Sequence, residues 1–207
     1  MSKKIILHLC AKSGSDSRYF QLDPNYEVRI IDEKIGVENI KGSAEIYGVI
    51  ANPVCTEMST VKGFHKENDI EKGMILVNHC LRIVDECKEL KFWSLENPFN
   101  GRLKDILGYP DYVYQPWEFG SAYTKKTALW GNFNKPEKLY TKFEDVPKNP
   151  NLYVRPGRKT PSLAFLHKSA LEFLPEFWWA RDFIQNDSDL RSMCSDGFAK
   201  QFYLYNQ

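Results

Sequence analysis

Cys55 is the residue of this chain best placed to do covalent chemistry. It follows IYGVIA (46–51), a short apolar run, and sits in ANPVCTEMS (51–59), where Pro53 stiffens the turn. A thiolate at the end of a buried strand can attack an electron-poor carbon, provided neighbouring dipoles or cations lower its pKa. A lone cysteine is more often a small buried hydrophobe, and that is the reading for Cys10, Cys80, Cys87 and Cys194. The second candidate is Glu96 in SLENP (94–98), at the end of another apolar run, LKFWSLE (90–96). Carboxylates are rarely buried unless paired or used. Two more positions suit a bound ligand. The turn AKSGSDS (11–17) holds Gly14, which would let backbone approach a ligand closely. Asp32 or Glu33, about 20 residues further on, could accept hydrogen bonds from ribose hydroxyls. The competing readings are an ordinary strand–helix turn and a solvated surface acid. His65, His79, Cys80 and Cys87 match no zinc spacing, so no metal is expected.

These residues need strands to carry them. KKIILHLC (3–10), YEVRIID (26–32), IYGVIA (46–51) and LKFWSLE (90–96) read as strands, with two more near 111–115 and 126–132. Between the third and fourth, residues 68–88 read as a helix, with Ile70, Met74, Val77, Leu81 and Val84 on one face and Asn68 with Glu71 as its N-terminal cap pair. Short helices are expected toward Phe20 and over 99–107, and a final one over 196–205. Residues 162–185 read as helical with an interruption at Pro175, and Trp178 and Trp179 as core residues. Strands alternating with helices imply an α/β, doubly wound, mostly parallel sheet, in which ligands bind beyond the carboxyl ends of the strands. All four candidate positions fall at such ends. Residues 133–161 hold five prolines and read as a surface loop or flap.

Bulk properties narrow the classes. A chain of 207 residues, 43% hydrophobic and 27% charged, suits one packed domain rather than disorder. Its formal charge of +1 excludes a strongly basic surface over the whole molecule and leaves room for a local basic patch. No run approaches the roughly 18 apolar residues of a membrane span. The N-terminal apolar run lacks a small-residue cleavage site and reads as a first strand, not a signal peptide. Five scattered cysteines fit a reducing cytoplasm.

The order of these segments resembles the DNA cytosine-5 methyltransferases. ANPVCTEMS is similar to that family's Pro-Pro-Cys nucleophile loop, and SLENP to its Glu-Asn-Val loop; the interval from Cys55 to Glu96 is also similar. EFGSAYTKKTALWGNF (118–133) resembles the segment with the family's paired basic residues, and RSMCSDGFAKQF (191–202) its C-terminal cofactor-side motif and helix. The chain is most similar to short phage-encoded members. The resemblance implies a class I, Rossmann-like fold over 1–207 and S-adenosyl-L-methionine as cofactor, held by Ala11, Ser13, Gly14, Asp32, Asn52, Pro53 and Gly197. It implies DNA as substrate, Cys55 as nucleophile on cytosine carbon 6, Glu96 hydrogen-bonding the ring, Asn97 orienting the loop, and Lys125 with Lys126 steadying base or phosphate. A base in a duplex would have to be flipped out.

The chain departs from the family at Lys12, where the first turn often has glycine, and at Val54, where proline is usual. Lys125 is followed, two on, by Thr127, where the family has a second arginine. Residues 133–161 stand in place of a large target-recognition domain, which leaves open whether the DNA is duplex or single-stranded and whether a protein partner reads the target. Asn52-Pro53 also resembles the loop of the amino-methyltransferases, which carry an aromatic where this chain has Cys55. A second reading is a methyltransferase-like protein that binds nucleic acid or a protein partner without catalysis.

Overall fold

The computed structural model describes residues 2–58 and 69–207. Four strands run parallel: β1 (Lys4–Leu9), β2 (Tyr26–Ile31), β3 (Ile46–Ala51) and β4 (Phe92–Pro98). Two more, β5 (Tyr112–Tyr114) and β6 (Thr127–Asn132), complete a sheet of order β2-β1-β3-β4-β6-β5, with β6 antiparallel to both its neighbours. The chain steps from β1 outward to β2, then crosses back to lay β3 on the other side of β1. The strand order therefore reverses at β1 and β3, and the crevice beyond their carboxyl ends is the ligand position of a doubly wound sheet.

Strand alternation decides what faces each layer. Ile5, Leu7 and Leu9 of β1, Val49 and Ala51 of β3, and Leu95 of β4 are buried in one core with Val77, Cys80 and Ile83 of α2 (Ile70–Glu86). The opposite positions Ile6, Ile50 and Phe92 form a second core with Phe20 of α1 (Arg18–Leu22) and with Phe198 and Phe202 of the last helix. The sheet is thus covered on both faces, which explains why its parallel strands read as nearly continuous apolar runs. Ser94 and Glu96 share the face of Phe92 by alternation, so β4 aims Glu96 toward the second core's end of the crevice.

Several expectations are corrected in detail. Asn68, the expected cap of α2, lies outside the described residues, as does His65; the cap seen is Asp69, whose Oδ1 accepts the Lys72 N–H at 2.9 Å. The segment 162–185 is no α-helix. It is a chain of 3₁₀ turns, Leu163–Phe165, Lys168–Phe173 and Pro175–Ala180. In the first and last of these the buried residues fit that geometry: Leu163 and Leu166, and Leu174, Phe177 and Ala180, recur every third position, matching a repeat of 3.0 rather than 3.6; Lys168–Phe173 buries none. They build a third core with Tyr123, Leu152, Leu190 and Met193. Trp178 falls between the inward positions and is 54% exposed, so it is not a core residue. Trp179 is half-buried, with the Arg18 guanidinium 4.4 Å from its ring. Most of 133–161 lacks regular structure, as expected, yet Val146 and Leu152 are buried. Two helices close the chain, α4 (Asp187–Ser192) and α5 (Asp196–Asn206), with the short α3 (Leu103–Leu107) after β4. Among the described residues no helix is long and apolar enough to cross a membrane, and no group of three His, Cys, Asp or Glu could hold a metal ion.

Candidate functional site

The site begins where β3 runs out. Asn52 extends the ladder by one bond, its N–H donating to the Leu9 carbonyl at 3.0 Å. Pro53 has no N–H to continue it, and the chain leaves the sheet. A turn closes at once, the Met58 N–H bonding the Cys55 carbonyl at 3.0 Å, and Met58 is fully buried in the α2-side core. From the neighbouring strand, the Asn97 amide donates to the Pro53 carbonyl at 3.1 Å and pins the loop to β4. Both ends of the Cys55 turn are therefore fixed by buried groups. Asn97 Oδ1 is itself buried without a partner among the described residues, an unfavourable position that costs about 1–3 kcal/mol when nothing answers it.

Behind the loop lies a partly buried polar array centred on Asn52. Its Oδ1 lies 2.7 Å from His8 Nε2, and its Nδ2 lies 3.2 Å from Asp16 Oδ1 and 3.3 Å from Glu96 Oε2. Two carboxylates facing one side of the amide require its N–H2 there, so Oδ1 must accept, and His8 must carry its proton on Nε2. His8 Nδ1 then accepts from the Ser17 hydroxyl at 2.8 Å. Burial holds the His8 pKa down against the pull of Asp16 and Asn52, so the ring is neutral. Burial likewise pushes the Glu96 carboxyl above the usual range; Lys125 opposes this, Asp16 adds to it and the Asn52 bond opposes it. A void of about 10 Å³, lined by Asp16, Ser94, Glu96 and Phe198 among others, lies beside the pair.

Cys55 is half-buried with a free thiol. Burial raises its pKa, the Glu96 charge raises it further and the Lys125 ammonium lowers it. The sequence asked for a lowered thiol pKa; at rest the balance is the reverse, because desolvation and the carboxylate outweigh one cation. Lys125 Nζ donates to the Met193 and Ser192 carbonyls, at 3.1 and 3.3 Å, just where α4 ends. Lys126 points elsewhere, its Nζ 3.8 Å from the centre of the Phe99 ring. The structure thus brings Cys55, Glu96 and Lys125 within electrostatic reach, with Asn97 holding the loop between them.

The residues expected to hold a cofactor are less uniform. Ala11 is buried and spends its N–H on the Ile31 carbonyl. Ser13 donates to Met193 Sδ at 3.4 Å, and Lys12 pairs with Asp189 at 2.9 Å. Gly14 has φ +72°, and a Cβ there would lie 2.5 Å from Gln21 Nε2 and 2.7 Å from Ile30 Cδ1. Its glycine is demanded by the fold's own packing. Gly197 is likewise a close-approach glycine, its missing Cβ 2.0 Å from the Phe119 carbonyl oxygen. It lines a separate cavity of about 300 Å³ with Ser121 and Glu176. Asn52 is fully engaged in the array, and Pro53 is buried beside it. Asp32 is different. One carboxylate oxygen accepts the Lys34 and Ile35 N–H groups at 3.0 Å each, and the other has no partner among the described residues. That second oxygen is an acceptor of the kind vicinal hydroxyls use, and Ile35 and Val54 are 46% and 56% exposed. By its chemistry Asp32 is the residue among these that would suit a nucleoside-bearing cofactor, whereas Gly14 is accounted for by packing.

His8 and Asp16 were not assigned roles from sequence. A signal for His8 existed: it is the one ionisable side chain after Lys4 in the buried run of β1. Compared with protein-family models and with curated proteins, the sequence matches none. What fold and site define is a Rossmann-like α/β architecture of the general kind that binds nucleotides and cofactors at its strand ends.

Proposed function

We propose that this protein is an S-adenosyl-L-methionine-dependent methyltransferase acting on carbon 5 of cytosine in DNA. The observation that carries the reading is the thiol of Cys55 after β3, the carboxyl of Glu96 in the adjacent parallel β4 and the ammonium of Lys125 just before the antiparallel β6, brought within electrostatic reach of one another. The cofactor, when bound, supplies an electrophilic methyl group. The chain's own residues do the rest. Cys55 Sγ forms a bond to carbon 6, and the electrons of the 5,6 double bond move toward carbon 5 and the ring nitrogen, making carbon 5 nucleophilic. Glu96, whose carboxyl burial pushes toward the protonated form, donates from that form to the nitrogen and accepts from the exocyclic amine. Uptake of a proton by Glu96 also favours the thiolate, because the Glu96 charge then no longer opposes Cys55 while Lys125 still supports it. Once carbon 5 carries the methyl group, its proton passes to solvent water, the 5,6 double bond re-forms and the carbon–sulfur electron pair returns to Cys55 as thiolate, freeing the product. Asn97 orients the loop through Pro53.

Oligonucleotides carrying 5-fluorocytosine test this, since fluorine at carbon 5 cannot leave as a proton and the adduct stays covalent. With S-adenosylmethionine, wild-type protein should form an adduct stable to denaturing gels, and Cys55→Ser should form none. Absence of adduct on both single- and double-stranded substrates, in protein that binds the cofactor by calorimetry, would sink the assignment.

A further inference from the structure

The segment 146–171 carries Lys148, Arg155, Arg158, Lys159 and Lys168 and no Asp or Glu, in a chain whose overall charge is +1. All five are exposed. The centre of this patch is a tight turn. The Arg158 N–H bonds the Arg155 carbonyl at 2.9 Å across Pro156 and Gly157, and Gly157 has φ +81°. Proline at the second position and a left-handed glycine at the third are the signature of a type II turn. A Cβ on Gly157 would meet nothing within 4 Å, so backbone geometry alone demands the glycine and the tip stands clear in solvent. The turn sets Arg155 and Arg158 at its two ends, with Lys159 next. The Arg155 guanidinium is steadied 4.8 Å from the Phe165 ring. Among the described residues no carboxylate pairs with Arg155, Arg158 or Lys159. On the limb before them, Tyr153 and Val154 are 52% and 39% exposed.

The base of the turn is anchored beside the candidate site. Leu152 and Pro161 are buried, the Thr124 N–H donates to the Pro161 carbonyl and the Leu163 N–H to the Thr124 carbonyl, each at 3.0 Å. Lys125, whose charge reaches Cys55 and Glu96, is the next residue. We propose that the Arg155–Lys159 turn is a rigid grip for the phosphate backbone of the nucleic-acid strand whose base enters the Cys55 site. Guanidinium forks match phosphate oxygens in pairs, and an exposed phenol ring offers a face on which a base can stack. A turn set by Pro156 and Gly157 displays these cations with little loss of freedom on binding. This rests on the nucleobase reading of the site, but its test does not depend on catalysis.

Fluorescence anisotropy with a labelled 20-nucleotide single strand and with its duplex, without cofactor and in the Cys55→Ser background, reads the grip directly. Each lost phosphate contact should lower the slope of log affinity against log salt by about 0.7 on a single strand and about 0.9 on a duplex. The triple variant Arg155→Ala, Arg158→Ala, Lys159→Ala should therefore flatten the slope by about 2 or more and weaken low-salt binding by about tenfold or more. A control triple at the exposed Lys3, Lys72 and Lys91 should bind as wild type. Gly157→Ala keeps every charge and should weaken binding several-fold by spoiling the turn; binding equal to wild type would overturn the preorganised grip. Thermal unfolding checks that each variant is folded. An unchanged salt slope in the tip variant overturns the proposal, and so does tighter binding of a poly-glutamate peptide or of phosphatidylserine vesicles than of either oligonucleotide. Failure of the 5-fluorocytosine trap with binding intact would refute the chemistry and leave the grip standing.

Discussion

Replacing Asn52 by Asp changes almost no volume and tests the polar array at its centre. The wild-type amide presents Oδ1 to His8 and N–H2 to Asp16 and Glu96, at 2.7, 3.2 and 3.3 Å. An aspartate keeps the acceptor for His8 and puts a third carboxylate oxygen where the donor stood. Two unit charges about 3.3 Å apart repel by ~5 kcal/mol at an effective dielectric near 20, so the folded protein escapes by binding a proton. That proton can sit on Asp16, Glu96, the new aspartate or His8; in each case the native state holds one more than the unfolded chain. Stability then falls as pH rises above the unfolded carboxyl pKa of about 4, by about 1.4 kcal/mol per pH unit relative to wild type. The variant should be near wild type at pH 4 and on the order of 5 kcal/mol less stable at pH 7.5. Urea unfolding of both proteins at half-unit steps measures this. A difference that does not change with pH, or one below about 0.5 kcal/mol at pH 7.5, would refute the shared-amide geometry.

Alkylation of Cys55 by iodoacetamide should be slow at pH 7 and rise steeply into the alkaline range, because burial and Glu96 hold the thiol pKa up. Glu96→Gln should speed it at pH 7.5 and Lys125→Met should slow it, read by mass spectrometry of the Cys55 peptide; opposite signs would show that these charges do not face the thiol. Gly14→Ala forces a left-handed alanine against Gln21 and Ile30 and should cost about 2–4 kcal/mol in urea unfolding, whether or not cofactor is added. In the 3₁₀ chain, Phe177→Ala should cost about 3–5 kcal/mol and Trp178→Ala about 1 kcal/mol or less, since Phe177 is 1% and Trp178 54% exposed; equal losses would contradict the three-residue repeat.

The apolar runs placed β1 and β3 within a residue and the alternating run placed β2, while β4 starts two residues later than its run and continues through Asn97 and Pro98. Cys55 and Glu96 follow from that, since each stands at the end of such a run. The charge-free-of-acid stretch around Arg155 was equally legible as composition, but its turn and its anchor at Thr124 were not. Tertiary structure alone decided the rest. Segment 162–185 satisfied a helical reading, yet its first and last turns bury every third residue against Tyr123 and Met193, which fits 3₁₀ geometry. Lys12 is an exposed lysine in sequence and an ion pair with a residue 177 positions away in space. The Cys55 thiol's pKa was open to either sign, and its direction is set by how much water the fold removes and by Glu96 arriving on the neighbouring strand. His8, Asp16, Asn52 and Glu96 lie on four separate segments, and only the parallel pairing of β1, β3 and β4 with the turn after β1 brings them to one amide. Hydrophobic pattern is a local property and survives in the order of the letters. Electrostatic coupling depends on distance and dielectric, which exist only once the sheet has closed around the site.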